Sequence, residues 1–341
     1  MLVILLSCSC VETKSSLKQE NSLITNVQQN STENIEDPLP SVIENPTVIE
    51  NPEPEPQKLV SPSGVEMLPC PTEIPEGMAC VSGGPFFRGT DQEHTCGQSE
   101  NKRYKTKFGP LEEIWLQTYL IDITEVTYGA YKTCMASKKC SYAKPAYQDF
   151  NHPEQPMMGA SWYAAQKYCE AQGKQLPTEA QWEKAARGDN QDNTPFGTEL
   201  VTCADAVIKD GSGRSCGVKK KGSHPDKGKV WKVAQKSIGK YGVYDMVGNA
   251  EEWVYDWFAP SLELCGDDCK GTDPKGPCAG KSTCKKFALR DGKALKMVKG
   301  GSWYWPAQDA TAWHRRPHVP TNKPYHHFGF RCAKTLTTSK E

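Results

Sequence analysis

The chain has no net charge, its 41 lysines and arginines balancing 41 aspartates and glutamates. No global field therefore favours a nucleic acid or an anionic membrane, and any partner must be held by local sites. Repeated Cys-x-x-Cys pairs are also missing, although the chain has fifteen cysteines. Structural zinc wants close ligand pairs, so this usage fits disulfides in an oxidising compartment. No phosphate-binding loop, Ser-His-Asp signature or nucleic-acid motif is visible. The first 60 residues lack the apolar content a core needs.

What stands at the start is a short apolar run, MLVILLS, from Met1 to Ser7, which meets Cys8 through Leu5-Leu6-Ser7. It resembles a bacterial lipobox, in which a signal peptidase cuts before the cysteine and a diacylglycerol is added to its thiol. No lysine or arginine precedes the run, and it is short for such a region, so a plain secretory fragment is the alternative. Cys10 is a poorer acceptor because polar Ser7 lies three residues before it. On the lipobox reading residues 1–10 are a signal segment. The protein is then lipid-anchored through Cys8 in the bacterial cell envelope, facing the periplasm or the cell surface. Residues 11–64 are rich in Asn, Glu, Pro, Ser and Thr, with the phrase ENPTVIENPEPEPQ. Such a stretch cannot bury enough apolar surface to offset its ordering entropy, and its prolines make it a semi-stiff tether.

Residues 65–334 change character, with all nine tryptophans, many glycines and short apolar runs between turn residues, and are read as one domain followed by a polar tail at 335–341. A helix is predicted after Ser161 as N-cap, carrying Trp162, Ala165, Tyr168 and Cys169 and stopping at Gly173. A second follows, with Thr178 and Gln181 as a capping box, Trp182 and Ala185 as its apolar face, and Gly188 at its end. The runs TYLIDITEVTY and MVKGGSWYW read as short strands joined by long loops, which need covalent or ionic staples.

Six segments in order resemble the formylglycine-generating enzyme (sulfatase-modifying factor) family: PEGMACVSGGPFFRGT at 75–90, IDITEVTYGAY at 121–131, HPEQPMMGASWYAAQKYCEAQGKQLPTEAQWEKAARG at 152–188, YGVYDMVGNAEEW at 241–253, VKGGSW at 298–303 and FGFRCA at 328–333. The resemblance implies an α+β, C-type-lectin-like fold with short strands, few helices and much irregular loop. It also implies a structural calcium held by Asp245, Gly248, Ala250 and Glu252, with Asp245 standing where many members have asparagine. A second calcium loop in the family matches TCADAVIKDGSGRSCGVKKKGSHPDKGK too poorly to assign Asp205, Asp210 or Asp226. Cys169 and Cys332 match a pair that is disulfide-bonded in the family. Cys203 with Cys216 and Cys134 with Cys140 read as local bridges, and Cys265, Cys269, Cys278 and Cys284 as two more, with zinc the alternative. One of Cys70, Cys80 and Cys96 is left over.

The active enzymes of this family oxidise a substrate cysteine with copper(I) held by two cysteines beyond the GGS turn. Counted from Gly300-Gly301-Ser302, those positions fall here on Trp305 and Ala310, and no cysteine lies between Cys284 and Cys332. Copper is therefore not expected, and no catalytic residue is assigned. His314 and His318 are four apart but separated by Pro317, against a shared helical face for a metal. The aromatic and basic residues in this segment, Trp303, Trp305, Trp313, His314 and Arg316, are the expected ligand groove, because aromatic and arginine side chains dominate binding hot spots. At least one of Trp303 and Trp313 is expected to be core instead. The expected function is binding of a protein or glycan ligand of the cell envelope. The alternative is a formylglycine-generating oxidase acting on sulfatase-type cysteine motifs, with a different metal site or a cysteine from a partner.

Overall fold

The computed structural model describes residues 58–91, 108–218, 228–287, 292–321 and 326–337. Cys8, residues 11–57 of the expected tether, Cys96, Lys219 to Lys221 and Asp226 lie outside the described residues. The chain divides into Met1–Gln57 and Lys58–Glu341, and only the second unit carries described residues. Its ordered backbone begins ahead of residue 65, where Val60 bridges to Glu66 and Ser63 shares a 2.8 Å hydroxyl contact with Thr272. Among the described residues no helix is long and apolar enough to cross a membrane.

Short strands and few helices follow from a sequence broken by glycine and proline at close intervals. In chain order the strands are β1 (Met78–Val81), β2 (Gly84–Arg88), β3 (Glu112–Leu116), β4 (Tyr119–Asp122), β5 (Glu251–Trp257), β6 (Lys296–Lys299), β7 (Arg316–His318), β8 (Phe328–Gly329) and β9 (Ala333–Thr335). Strands β1, β4 and β9 form one antiparallel sheet, and β2 with β3 a two-stranded ribbon. The third sheet runs β7-β6-β5-β8, antiparallel except for the β5–β8 pair. Strand β2 alternates buried and exposed side chains, whereas β6 is buried throughout, so the third sheet is covered on both faces.

The helices sit where their caps place them. Thr127 opens α1 (Tyr128–Ala136) by accepting from Ala130 N. Ser161 opens α2 (Trp162–Ala171), accepting from Ala164 N at 3.1 Å. Thr178 and Gln181 close the reciprocal capping box of α3 (Glu179–Arg187), and Gly188 ends it at a φ of 70°. A fourth, one-turn helix, α4 (Leu262–Cys265), is capped by Ser261. Expected to present one apolar face, α3 is instead buried on every side. Its charged face survives burial because each charge has an opposite partner: Arg315 grips Glu179 through Nε and Nη2 at 2.5 and 3.0 Å, and Glu183 takes Arg187 at 3.0 Å and Lys299 at 3.1 Å.

Six disulfides staple the loops: Cys70–Cys80, Cys134–Cys140, Cys169–Cys332, Cys203–Cys216, Cys265–Cys269 and Cys278–Cys284. The long-range bridge ties α2 to the residue before β9, and both its cysteines are fully buried. The four cysteines of the 265–284 insertion form two short bridges, which leaves no thiolate for zinc there.

Candidate functional site

The loop 245–252 is laid against the core by its own backbone. Gly248 donates to Gly300 O and Asn249 to Val207 O, while Trp303 N donates to Asn249 O at 3.0 Å. Glycine is required at 248: φ is +82°, and a Cβ there would lie 2.8 Å from Val207 O. Asp245 accepts from Ala234 N at 2.7 Å. Glu252 accepts a fork from Arg331, Nε and Nη2 both at 2.8 Å, and the indole N–H of Trp182 at 2.8 Å. Glu125, not anticipated from sequence, completes the group, taking Asn249 Nδ2 at 3.0 Å on Oε1 while its buried Oε2 has no hydrogen-bond partner.

Burial pushes both Glu125 and Asp245 above the usual carboxylate range, opposed by the Arg331 guanidinium. Three buried carboxylates thus face one guanidinium. Among the described residues no three His, Cys, Asp or Glu side chains converge as a metal-binding group. A cation here would therefore need the carbonyls of Gly248 and Ala250 as well as carboxylate oxygens. The oxygen-only donors, the excess negative charge and the orphaned Glu125 oxygen are what a hard cation such as calcium would require, so the residues fit it. In the other calcium region, Asp205 bonds Thr202 and Asp210 bonds Ser212, each capping its own turn.

From this loop the chain returns through β6 to Gly300-Gly301, both at positive φ, where a Cβ would lie 2.8 Å from Met246 O and 2.6 Å from Asp309 O respectively. That turn decides which way the following aromatic residues face. Trp303 is fully buried, packed with Phe150, Met158, Val207, Val230 and Ala250, its indole N–H donating to His326 O at 3.1 Å. Trp313 is buried too and donates to Asn193 Oδ1 at 3.0 Å, and His314 is buried 3.7 Å from Asp309. These three therefore belong to the interior and not to an open groove. Both indole N–H groups are satisfied inside the fold, which is what allows so large a ring to be buried.

Partly exposed along the segment are Tyr304, Trp305, Arg316 and His318, together with Pro306 and Ala307. Arg316 clasps Glu251, with Nε at 2.7 Å from Oε1 and Nη2 on Oε2, and Trp305 Nε1 lies 3.4 Å from Oε2. The Arg316 guanidinium sits 5.0 Å from the Trp305 ring centre, and Arg214 lies 3.6 Å over the face of Tyr304. His326 and His327 pack edge-on or tilted against Tyr304. Glu251 was missed in the sequence, although successive glutamates at the start of a strand must point to opposite sides. Glu252 turns inward to Arg331, and Glu251 turns to Arg316 and Trp305.

The charged groups around Glu251 are electrostatically tense. Burial pushes Glu251 up, and Arg316 holds it down. Asp309 is pushed up to about 7 by burial, then by Glu251, with Arg316 opposing. Burial and Arg316 together drive His318 down to about 4. No thiol reaches this place. Ala310 is sealed among Val201, Ala206, Ile208 and Val247, Trp305 fills the other counted position, and every cysteine among the described residues is in a disulfide.

Comparison with known proteins agrees with this architecture. Residues 66–336 match the family model of the sulfatase-modifying factor enzyme 1-like domain. The chain is 27% identical over 280 residues to the serine/threonine-protein kinase pkn1 of Chlamydia caviae, covering 75% of this chain and 38% of that one. It is 29% identical over 195 residues to the formylglycine-generating enzyme of Thermomonospora curvata, covering 54% and 56%. It thus spans well under two thirds of the length of either relative. Among solved structures, PvdO from Pseudomonas aeruginosa superposes with a TM-score of 0.56 at 20% identity, covering 76% of this chain and 94% of that one, which shows a shared fold. With its C-type-lectin-like α+β fold and a match that runs nearly the length of the described unit, the chain belongs to the sulfatase-modifying factor (formylglycine-generating enzyme-like) family.

Proposed function

We propose that this protein is a non-catalytic ligand-binding member of its family, which uses the groove between Tyr304, Trp305, Arg316 and Glu251. One observation carries the reading: where two thiols would be needed for copper(I), the chain places an indole and a sealed alanine, and every described cysteine is oxidised. Aromatic faces with a guanidinium held in place by a carboxylate suit recognition, because such anchors bind without first being ordered. With the lipobox at Cys8 and the tether, the ligand is a protein or glycan of the cell envelope, reached from a lipid anchor.

The deciding experiment is copper(I) titration of the purified full chain, followed by oxygen uptake with a Cys-x-Pro-x-Arg peptide. Neither tight copper binding nor loss of the peptide thiol is expected. Turnover of the peptide would replace this reading with the oxidase, which the similarity to the Thermomonospora curvata enzyme keeps in view. Cross-linking in membranes tests the binding itself: capture of an envelope component should be lost in Trp305→Ala and retained in a variant of the exposed Tyr163.

A further inference from the structure

A concavity lies between the segment 148–155 and the irregular stretch 228–235, and has a volume of about 490 Å³. That lies within the size range of small-ligand sites, roughly 300 to 1,000 Å³. Its lining includes one indole, Trp231, and the polar side chains of Gln148, Asn151, Gln235, Asp149 and His152. Trp231 is fixed at both ends: its backbone N–H donates to Asn249 Oδ1 and its Nε1 to Ser215 Oγ, each at 2.9 Å. The polar tip of the ring is thus satisfied within the protein, Lys236 sits 4.8 Å from the ring centre, and the ring packs against the cluster of Phe150 and Trp303 while its partly exposed part lines the cavity. Ser215 N in turn donates to Trp303 O, so the ring is tied to a tryptophan of the interior.

The chemistry of this lining selects among ligand classes. An amide side chain offers both a donor pair and an acceptor, and a carboxylate adds acceptors only. A set dominated by amides therefore matches groups that donate and accept in alternation, which is the pattern of vicinal hydroxyls. A saccharide ring also has an apolar C–H face that packs flat on an indole. The two lysines of the lining, Lys229 and Lys232, are balanced by Asp149 and by Glu154, which holds Lys232 at 2.7 Å, so no net positive charge selects an anion. An apolar peptide is disfavoured by the near absence of aliphatic side chains other than Val218 and Val230.

We infer that the cavity beside Trp231 is a subsite for a neutral oligosaccharide, with the indole as platform and Gln148, Asn151 and Gln235 as hydroxyl partners. It is independent of the groove at Trp305, and its test separates the two. Isothermal titration of the full chain with chitotetraose, cellotetraose, maltotetraose and mannotetraose should give saturable binding of at least one. Trp231→Ala should weaken that binding by about tenfold or more, and Trp231→Phe, which keeps an aromatic face, by much less. Asn151→Ala and Gln148→Ala, both on exposed side chains that leave folding intact, should each cost about three- to tenfold. Trp305→Ala should leave the titration unchanged. The inference is overturned if none of the four sugars binds, if binding survives in the Asn151 and Gln148 variants, or if it is lost in Trp305→Ala instead.

Discussion

Removing the Cys169–Cys332 bridge by the paired change Cys169→Ala and Cys332→Ala tests how much of this loop-rich fold rests on one crosslink. The two cysteines are 163 residues apart in sequence, and the closed loop contains most of the third sheet. In the chain-entropy model a loop of that length restricts the unfolded state by roughly 5 kcal/mol at 25 °C. Three smaller bridges inside it shorten the effective loop, but the dependence is logarithmic and the correction is slight. Alanine is the right replacement because both sites are fully buried and a hydroxyl would be stranded there. Residual structure in the unfolded chain lowers the expectation to roughly 3 to 5 kcal/mol. Urea unfolding under oxidising conditions, with the other bridges intact, reads it directly, and the slope with denaturant should rise because the freed chain expands further. The matching control is Cys265→Ala with Cys269→Ala, which opens a bridge of separation 4 and by the same relation costs only about 2 kcal/mol. Equal losses in the two variants would refute the entropic account and place the stabilisation in local packing.

Three further outcomes follow from the buried charges. Asp309, raised to about 7 in the fold, stays protonated where the unfolded chain is already ionised, so it removes stability as pH rises from about 4 to 7. Asp309→Asn should thus raise the melting temperature at pH 8 and leave it unchanged at pH 4, and an equal shift at both values counts against the assignment. Arg316→Met strips buried Glu251 of its guanidinium and should cost about 3 kcal/mol by urea unfolding, with Glu251→Gln added in the same chain recovering most of the loss. Calcium at Asp245, Gly248, Ala250 and Glu252 should show as a fall in melting temperature on chelation, about 2.7 kcal/mol for a site previously at one hundred times its dissociation constant. Identical melts with and without chelator would leave Glu125 and Asp245 to share a proton instead.

Where local chemistry decides structure, it could be read from the chain. Ser161 and Thr178 are N-caps because their side chains and the three-residue spacing to Ala164 and Gln181 satisfy orphan amides whatever lies further away. Gly300 and Gly301 are similar, since no other residue fits their backbone. What could not be read is which side of each element is outside. Helix α3 carries four charged residues among nine and would pass for an exposed helix, yet its ion partners Lys299 and Arg315 arrive from β6 and from the residue before β7. Trp303 and Trp313 were drawn to the groove by their company, but their indole nitrogens find His326 O and Asn193, acceptors that only the tertiary fold supplies.

The contrast between Glu251 and Glu252 carries this further. Both start the same strand, and pleating alone sends them to opposite sides, so the fork from Arg331 and the fork from Arg316 are two uses of one device. The inner fork joins the loop 245–252 to the segment before β9 and is fully closed to solvent. The outer one ends at a guanidinium that is 19% exposed and stacked beside Trp305. A carboxylate that has already oriented its arginine leaves that arginine little rotational freedom to lose when a ligand arrives. The same fork holds Arg316 beside Trp305 before any ligand arrives, which is why this pair, and not the buried Trp303, supports the binding reading proposed above.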